Sequence, residues 1–494
     1  MRRIRLRIQC YARAIRSKFL RLLEVVTEQD VMSASTDDRS AFTTGASIDG
    51  PHARVVITAA SLGFFLITLD ISIVNVALAQ IQAELGGGTV TQQWVIDGYT
   101  LLFAALLLFA GNLSDRIGAK RALTLGIAIF AVISAACGLA PTSTWLVAAR
   151  CAQGAGAAIV LPASMSLVRE AFPDPARRAS ALGVWAVGGA VAGLVGQPLG
   201  GLLTTVDWRW VFAINLPACA VMLLLLTVVA TSPTRPSPFD WAGQALAVIG
   251  LSTLVYALIT GGHAGFAAPE VVAASATAVV ALVGFVVLQS RGRHPMMPLD
   301  LFRARGVRLA LPVGFAFMVA NYGNVFVVSL FLQQQLGLSA LRAGLVFLPS
   351  ALFAIAANLA SGPVTNRLGA RLPVVAGLTA MAAGLVALVL TAPLGSPLVV
   401  AACIIPIGAG GALAMPSVTG VVLEGVPAQQ AGTASAVFNT FRQVGGAVAI
   451  AVFGALIADP DGALTGVQLS LGIAAAAVLL AALSSLRIRA RTTS

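Results

Sequence analysis

Apolar residues in this chain fall in long unbroken runs, not at the spacing of half-buried helices or strands. A helix needs roughly 20 apolar residues to cross the hydrocarbon core of a bilayer. Fourteen runs of about that size are present, near 55–80, 95–113, 122–140, 145–168, 179–203, 210–230, 241–261, 270–289, 309–333, 343–362, 373–392, 398–422, 431–457 and 467–486. Short polar stretches rich in Gly, Pro, Asp and Arg separate them. The pattern predicts an all-α membrane protein with 14 transmembrane helices.

Charge placement tests that count. An even number of spans puts both termini on one side, and Lys and Arg mark the cytoplasmic side. With cytoplasmic termini, the inner loops hold Arg116, Lys120, Arg121, Arg169, Arg177, Arg178, Arg235, Arg291, Arg293, Arg303, Arg305, Arg308, Arg367 and Arg371. The outer loops hold only Arg209 and Arg342. One missed helix would invert every later loop, so count and orientation support each other.

The chain also repeats itself. Gly111-Asn-Leu-Ser-Asp115-Arg116-Ile-Gly118-Ala-Lys120 resembles Gly362-Pro-Val-Thr-Asn366-Arg367-Leu-Gly369-Ala-Arg371. Gly154-Ala-Gly156-Ala-Ala158, followed by Pro162, resembles Gly408-Ala-Gly410-Gly-Ala412, followed by Pro416, at nearly the same offset. Two related six-helix bundles with two helices inserted between them account for this. The expected divisions are an N-terminal tail 1–53, a bundle 54–231, the inserted pair 232–291, a second bundle 292–487 and a tail 488–494. Two repeats rocking about a midplane site is a transporter design.

Composition narrows the function classes. Of 494 residues, 58% are hydrophobic and only 10% charged, too little charge to keep such a surface dispersed in water. The net charge of +12 suits a nucleic-acid binder, but the basic residues sit in short loops and the N-terminal tail. The lipid bilayer is the expected partner, and nucleic acid is not. Cys137, Cys151, Cys219 and Cys403 lie in apolar runs and Cys10 in the basic tail, so no disulfide framework is implied. His52, His263 and His294 are scattered and form no metal set. There is no P-loop and no nucleophile–base pair. Neither an enzyme nor a bound cofactor or metal is expected.

Residues 2–23 place Ile4, Ile8, Tyr11, Ile15, Phe19 and Leu22 at helical spacing among many arginines. Two readings stand: a basic amphipathic helix on an anionic inner leaflet, or translation beginning at Met32. Residues 33–53 are polar and read as disordered.

Several motifs, in this order, carry a family resemblance over about residues 54–487. They are Leu69-Asp70-Ile-Ser-Ile73-Val74-Asn75-Val76-Ala77-Leu78, Gly111 to Arg121, Arg150-Cys-Ala-Gln153-Gly154-Ala-Gly156-Ala-Ala158, Trp208-Arg209-Trp210-Val-Phe212-Ala-Ile-Asn215-Leu-Pro217, and Asn439-Thr-Phe-Arg442-Gln443-Val-Gly445-Gly446. They resemble the major facilitator superfamily, and within it the fourteen-helix drug:proton antiporters of the EmrB/QacA type. The resemblance implies the major facilitator fold in a bacterial cytoplasmic (inner) membrane. It implies a monomeric, proton-coupled multidrug efflux carrier that exports a small organic molecule (a drug, antibiotic, dye or secondary metabolite) and so confers antibiotic resistance. The alternative is a symporter or facilitator for a polar metabolite.

Asp70 is the leading candidate for proton coupling. A carboxylate deep in an apolar helix is costly and usually faces the bundle interior or a cavity. Removal from water penalises the charged form, which suits a group that alternates between charged and neutral. The other reading is a structural acid paired with a buried base. Arg150 lies just over one turn into helix four. By resemblance it is the helix-four arginine of proton coupling, holding Asp70 ionised; alternatively it snorkels to the interface. Asp97 departs from the family pattern, which more often has a small hydroxyl residue there. It is either a second protonation or cation-binding site or a solvated acid at a helix start.

Asn75, Trp185, Asn321, Tyr322, Asn324, Asn439 and Arg442 are candidates to line a substrate cavity. Interhelical hydrogen bonding explains the amides equally well, and Arg442 needs a carboxylate or carbonyl partner that the sequence does not name. Gly111, Asp115, Arg116, Gly118 and Lys120 form a candidate gating loop, where positive-inside topology also acts. Gly196, Pro198, Gly200 and Gly201 look like the helix-five antiporter motif. Gln197 stands where that motif has proline and Ala192 replaces its first glycine, which weakens the inference of export direction. Generic close packing of small residues is the competing explanation.

Overall fold

A computed structural model describes residues 51–234, 239–292, 295–297, 299–426, 430–458 and 462–488. The expected helix over 2–23, most of the polar stretch 33–53 and the last residues of the C-terminal tail lie outside the described residues.

Fourteen helices are long and apolar enough to cross a membrane. The first six are α1 (Ala53–Leu85), α2 (Gly88–Ile117), α3 (Ala119–Gly138), α4 (Ser143–Ala171), α5 (Ser180–Thr204) and α6 (Trp210–Thr227). Next come α7 (Trp241–Ala264) and α8 (Pro269–Arg291). The last six are α9 (Arg305–Gln335), α10 (Ala340–Leu368), α11 (Arg371–Leu394), α12 (Pro397–Glu424), α13 (Gly432–Leu456) and α14 (Ala463–Ser485). No strand occurs among the described residues. The all-α, 14-helix membrane architecture read from the hydropathy is the one observed.

Proline sets two breaks within spans. Helix α6 is divided at Ile214 and α10 at Phe347. Pro217 and Pro349 lie just beyond, and having no N–H they cannot donate to the carbonyls four residues back, those of Ala213 and Leu345. Helix α9 ends in a π turn, Phe331–Gln335.

The packing repeats. In the first six spans α1 lies against α4, α5 and α6, α2 against α4, and α3 against α4 and α6. Eight spans on, α9 lies against α12, α13 and α14, α10 against α12, and α11 against α12 and α14. The repeated loops share a turn as well. Gly118 has φ 87° and Gly369 φ 77°, conformations that disfavour any side chain. Helices α7 and α8 form a hairpin, and α7 packs on α2 and α13. This is the expected pair of pseudo-symmetric six-helix bundles with two inserted helices.

The two bundles meet through α1 with α9, α2 with α13, and α5 with α10. The meeting is tightest at the end carrying the α1–α2 turn. There Gln93 Nε2 donates to the carbonyls of Ile450 at 3.2 Å and Ala451 at 2.7 Å. Ser329 Oγ donates to the Asn75 carbonyl at 3.3 Å, and Gln334 Nε2 to Gln82 Oε1 at 3.2 Å. Helix α5 approaches the start of α10 so closely that a Cβ on Gly201 would lie 2.6 Å from the Ala340 carbonyl oxygen.

Candidate functional site

Asp70 lies in the middle of α1 and is fully buried. Because α1 crosses α4 and α6 at this level, three side chains converge on its carboxylate. Arg150 Nη1 donates to Oδ2 at 2.6 Å, Gln153 Nε2 to Oδ1 at 3.1 Å and Asn215 Nδ2 to Oδ1 at 2.9 Å. Arg150 is 1% exposed, so it does not snorkel. Its Nε donates to the Val95 carbonyl at 2.9 Å, and its Nη1 also reaches Gln153 Oε1 at 2.8 Å. Its guanidinium lies over Tyr99 at 4.3 Å and Phe212 at 5.8 Å. Ser134 accepts from Asn215 at 3.0 Å and donates to the Phe212 carbonyl at 2.9 Å, closing the network on α3 and α6.

A charge pair buried this deeply needs such support, since desolvation of both ions opposes their attraction. The surrounding donors and the two aromatic faces satisfy what the pair leaves open. Gln153, Asn215, Ser134 and Tyr99 were not singled out as site residues from the sequence. Gln153 and Asn215 stood inside the quoted helix-four and helix-six motifs, and that position was the available signal.

The sequence allowed Asp97 to be a solvated acid at a helix start. The fold rules this out. Helix α2 begins at Gly88, so Asp97 lies in its third turn and is fully buried. Both carboxylate oxygens lack a hydrogen-bond partner among the described residues. One turn to either side, Gln93 and Leu101 pack on Ala451 of α13, which sets Asp97 in the seam between the bundles.

Asp70 does not line the space between the bundles. Its neighbours Ile71 and Ser72 do, with Asn75, Gln197, Asn321 and Tyr322, around a cavity of about 50 Å³. That volume is well below what a drug-sized ligand fills. Asn75 Oδ1 and Gln197 Oε1 are buried there without partners.

The remaining cavity candidates divide. Asn439 and Arg442 lie together on α13, Arg442 Nη1 donating to Asn439 Oδ1 at 3.1 Å. Trp185 is elsewhere, stacked on Phe64 with ring centroids 4.3 Å apart and donating to Ser164 Oγ at 3.1 Å. Asn324 is buried on α9 with its Oδ1 unpartnered, apart from the small cavity.

The candidate gating loop clamps the α6–α7 connection. The Lys120 N–H donates to Ser232 Oγ at 3.0 Å, and Lys120 Nζ to the Val229 carbonyl at 2.5 Å. The Arg116 guanidinium sits 5.0 Å over the Phe239 ring. A Cβ on Gly118 would meet Ser232 at 3.0 Å. Asp115 acts electrostatically on Arg169 at the end of α4. Gly111 lies within α2 with open space where a side chain would be. Of the helix-five motif, Gly196 faces Ser72 and Gly200 faces the Ile73 carbonyl of α1, while Gly201 faces α10. Pro198 lies inside the helix.

Comparison with known proteins places this geometry. The model of the Major Facilitator Superfamily matches residues 60–450. The chain is 34% identical over 439 residues to the methylenomycin A resistance protein of Streptomyces coelicolor, covering 88% of this chain and 92% of that one. It is 37% identical over 408 residues to the multidrug resistance protein Stp of Mycobacterium tuberculosis, covering 82% and 76%. With the cephamycin export protein CmcT of Amycolatopsis lactamdurans it shares 34% over 432 residues, covering 84% and 87%. Among solved structures, a D-xylose–proton symporter superposes with a TM-score of 0.65 at 16% identity, covering 88% of this chain and 98% of that one.

Proposed function

The chain belongs to the major facilitator superfamily, and from that premise we propose that it is a proton-coupled exporter of small organic molecules. It moves a drug, antibiotic, dye or secondary metabolite across the bacterial cytoplasmic membrane as a monomer. Relatives named for drug resistance and antibiotic export, similar along most of their length, support the substrate class. The single observation that carries the coupling is the Asp70–Arg150 pair, sealed from solvent one residue from the cavity wall.

The proton acts through that pair. Protonating one Asp70 oxygen removes its charge and weakens the 2.6 Å contact with Arg150. Arg150 keeps its bond to Val95 on α2, while α1 loses its strongest tie to α4. Helix α1 carries Asp70 on one face and Ile71, Ser72 and Asn75 toward the cavity. A shift of α1 therefore changes the cavity when the proton arrives. This is a two-state element biased by one protonation, which is what coupling requires.

The termini are cytoplasmic in this reading, so the tight seam at the α1–α2 end closes the outer side. The bundles 54–231 and 292–487 rock about the midplane, and the pair 232–291 braces α2 and α13. Asp97 is a second carboxylate able to take a proton, and the Asp115–Lys120 loop holds the inner end of the first bundle. The test is proton release when cationic, neutral or acidic drugs are added to purified protein in detergent. Wild type should release protons, and Asp70→Asn should not. Release undiminished in Asp70→Asn would place the coupling elsewhere.

A further inference from the structure

Arg442 carries a charge deep in the second bundle and has no counterion among the described residues. It sits near the middle of α13, ten residues past its first described residue. Its Nη1 donates to the neutral Asn439 amide at 3.1 Å. Its Nε is buried and makes no hydrogen bond, and Nη2 makes none among the described residues. No described carboxylate pairs with it. The acids that face the bundle interior are otherwise placed. Asp70 is held by Arg150, and Asp97 lies at the level of Ala451, more than two turns along α13 from Arg442.

Two buried aromatic rings pack beside Arg442. The Phe317 ring is 5.7 Å from its guanidinium carbon and the Phe438 ring 5.8 Å. Gly314 leaves room at its stem, where a Cβ would lie 3.0 Å from Arg442 Cγ. Gly446 faces the Tyr322 ring, and Tyr322 continues into the cavity between the bundles. Arg442 Nε is sealed in this conformation, so a ligand reaches this edge only as the bundles part.

A guanidinium presents its Nε and Nη2 hydrogens as a parallel fork that fits the two oxygens of a carboxylate. That edge is the one left unused here. We propose that Arg442 anchors a carboxylate on the exported molecule, so that the site takes amphipathic organic acids. The acid's oxygens fill the Nε–Nη2 edge, and its apolar body lies along the seam toward Tyr322. The proposal rests on the export reading and names its substrate class.

The experiment measures binding of 1-pyrenebutyrate, its neutral methyl ester and ethidium to the full-length protein in detergent. Wild type should prefer the acid to the ester. Arg442→Gln should weaken the acid about tenfold or more, the scale of a lost charge-assisted pair, and leave the ester within about twofold. Arg442→Lys keeps the charge without the fork and should fall between. Unchanged ester binding and an unchanged unfolding midpoint show that the variants are folded. Equal affinity of wild type for acid and ester would overturn the proposal. So would Arg442→Gln weakening all three probes alike, the mark of a structural role. An acid preference that survives while drug-induced proton release is absent would sink the export reading and leave this one standing.

Discussion

Removing one partner of the Asp70–Arg150 pair strands the other charge in the interior of the first bundle. Arg150→Ala is therefore expected to lower stability by about 3–5 kcal/mol. Asp70→Asn with Arg150→Gln in one chain should recover much of that loss, because no charge is then stranded. Asp97→Asn removes a carboxylate that no described group satisfies, so it should leave the unfolding midpoint unchanged or higher. Thermal unfolding in detergent reads all three; a midpoint for Arg150→Ala equal to wild type would contradict the pairing. Asp70 and Arg150 were legible in the sequence because charges stand out within apolar runs. Their neutral partners were not, since an amide or hydroxyl in a helix points nowhere until the helix crossings are known. Asp97 was misleading for a related reason. Thr91, Gln92 and Gln93 are polar but buried, so hydropathy starts α2 too late and puts Asp97 at its tip.

At the scale of the element, α5 shows how small residues set helix spacing. A Cβ on Gly200 would lie 2.6 Å from the Ile73 carbonyl oxygen, whereas nothing lies within 4 Å of one on Gly193. Gly200→Val is expected to cost about 1–3 kcal/mol through overpacking, with Gly193→Ala close to neutral. Equal unfolding midpoints for the two variants would contradict the close α1–α5 approach. The glycines were readable as a packing stripe from the sequence. Their partners were not, because contact between α5 and both α1 and α10 depends on the three-dimensional arrangement of the bundles. The repeat was more informative: it implied two related bundles, and the matching loops share a turn, with positive φ at both Gly118 and Gly369.

For the whole molecule, the seam at the α1–α2 end is what alternating access must open. Gln82 and Gln334 touch across it at 3.2 Å. In a Gln82→Cys, Gln334→Cys protein, oxidation should join the bundles and stop transport, and a reductant should restore it. Transport that continues when cross-linking is complete would mean that this end does not need to part. Fourteen spans and two bundles were legible because lipid forces each span to be long and apolar. The small cavity was not, since its walls come from five helices in both bundles.

Coupling is tested most directly in proteoliposomes with an imposed pH gradient and a transported fluorescent probe. A gradient acidic on the outer face is expected to drive probe movement in wild type, and Asp70→Asn to retain probe binding but lose gradient-driven movement. Equal gradient-driven movement in wild type and Asp70→Asn would contradict it.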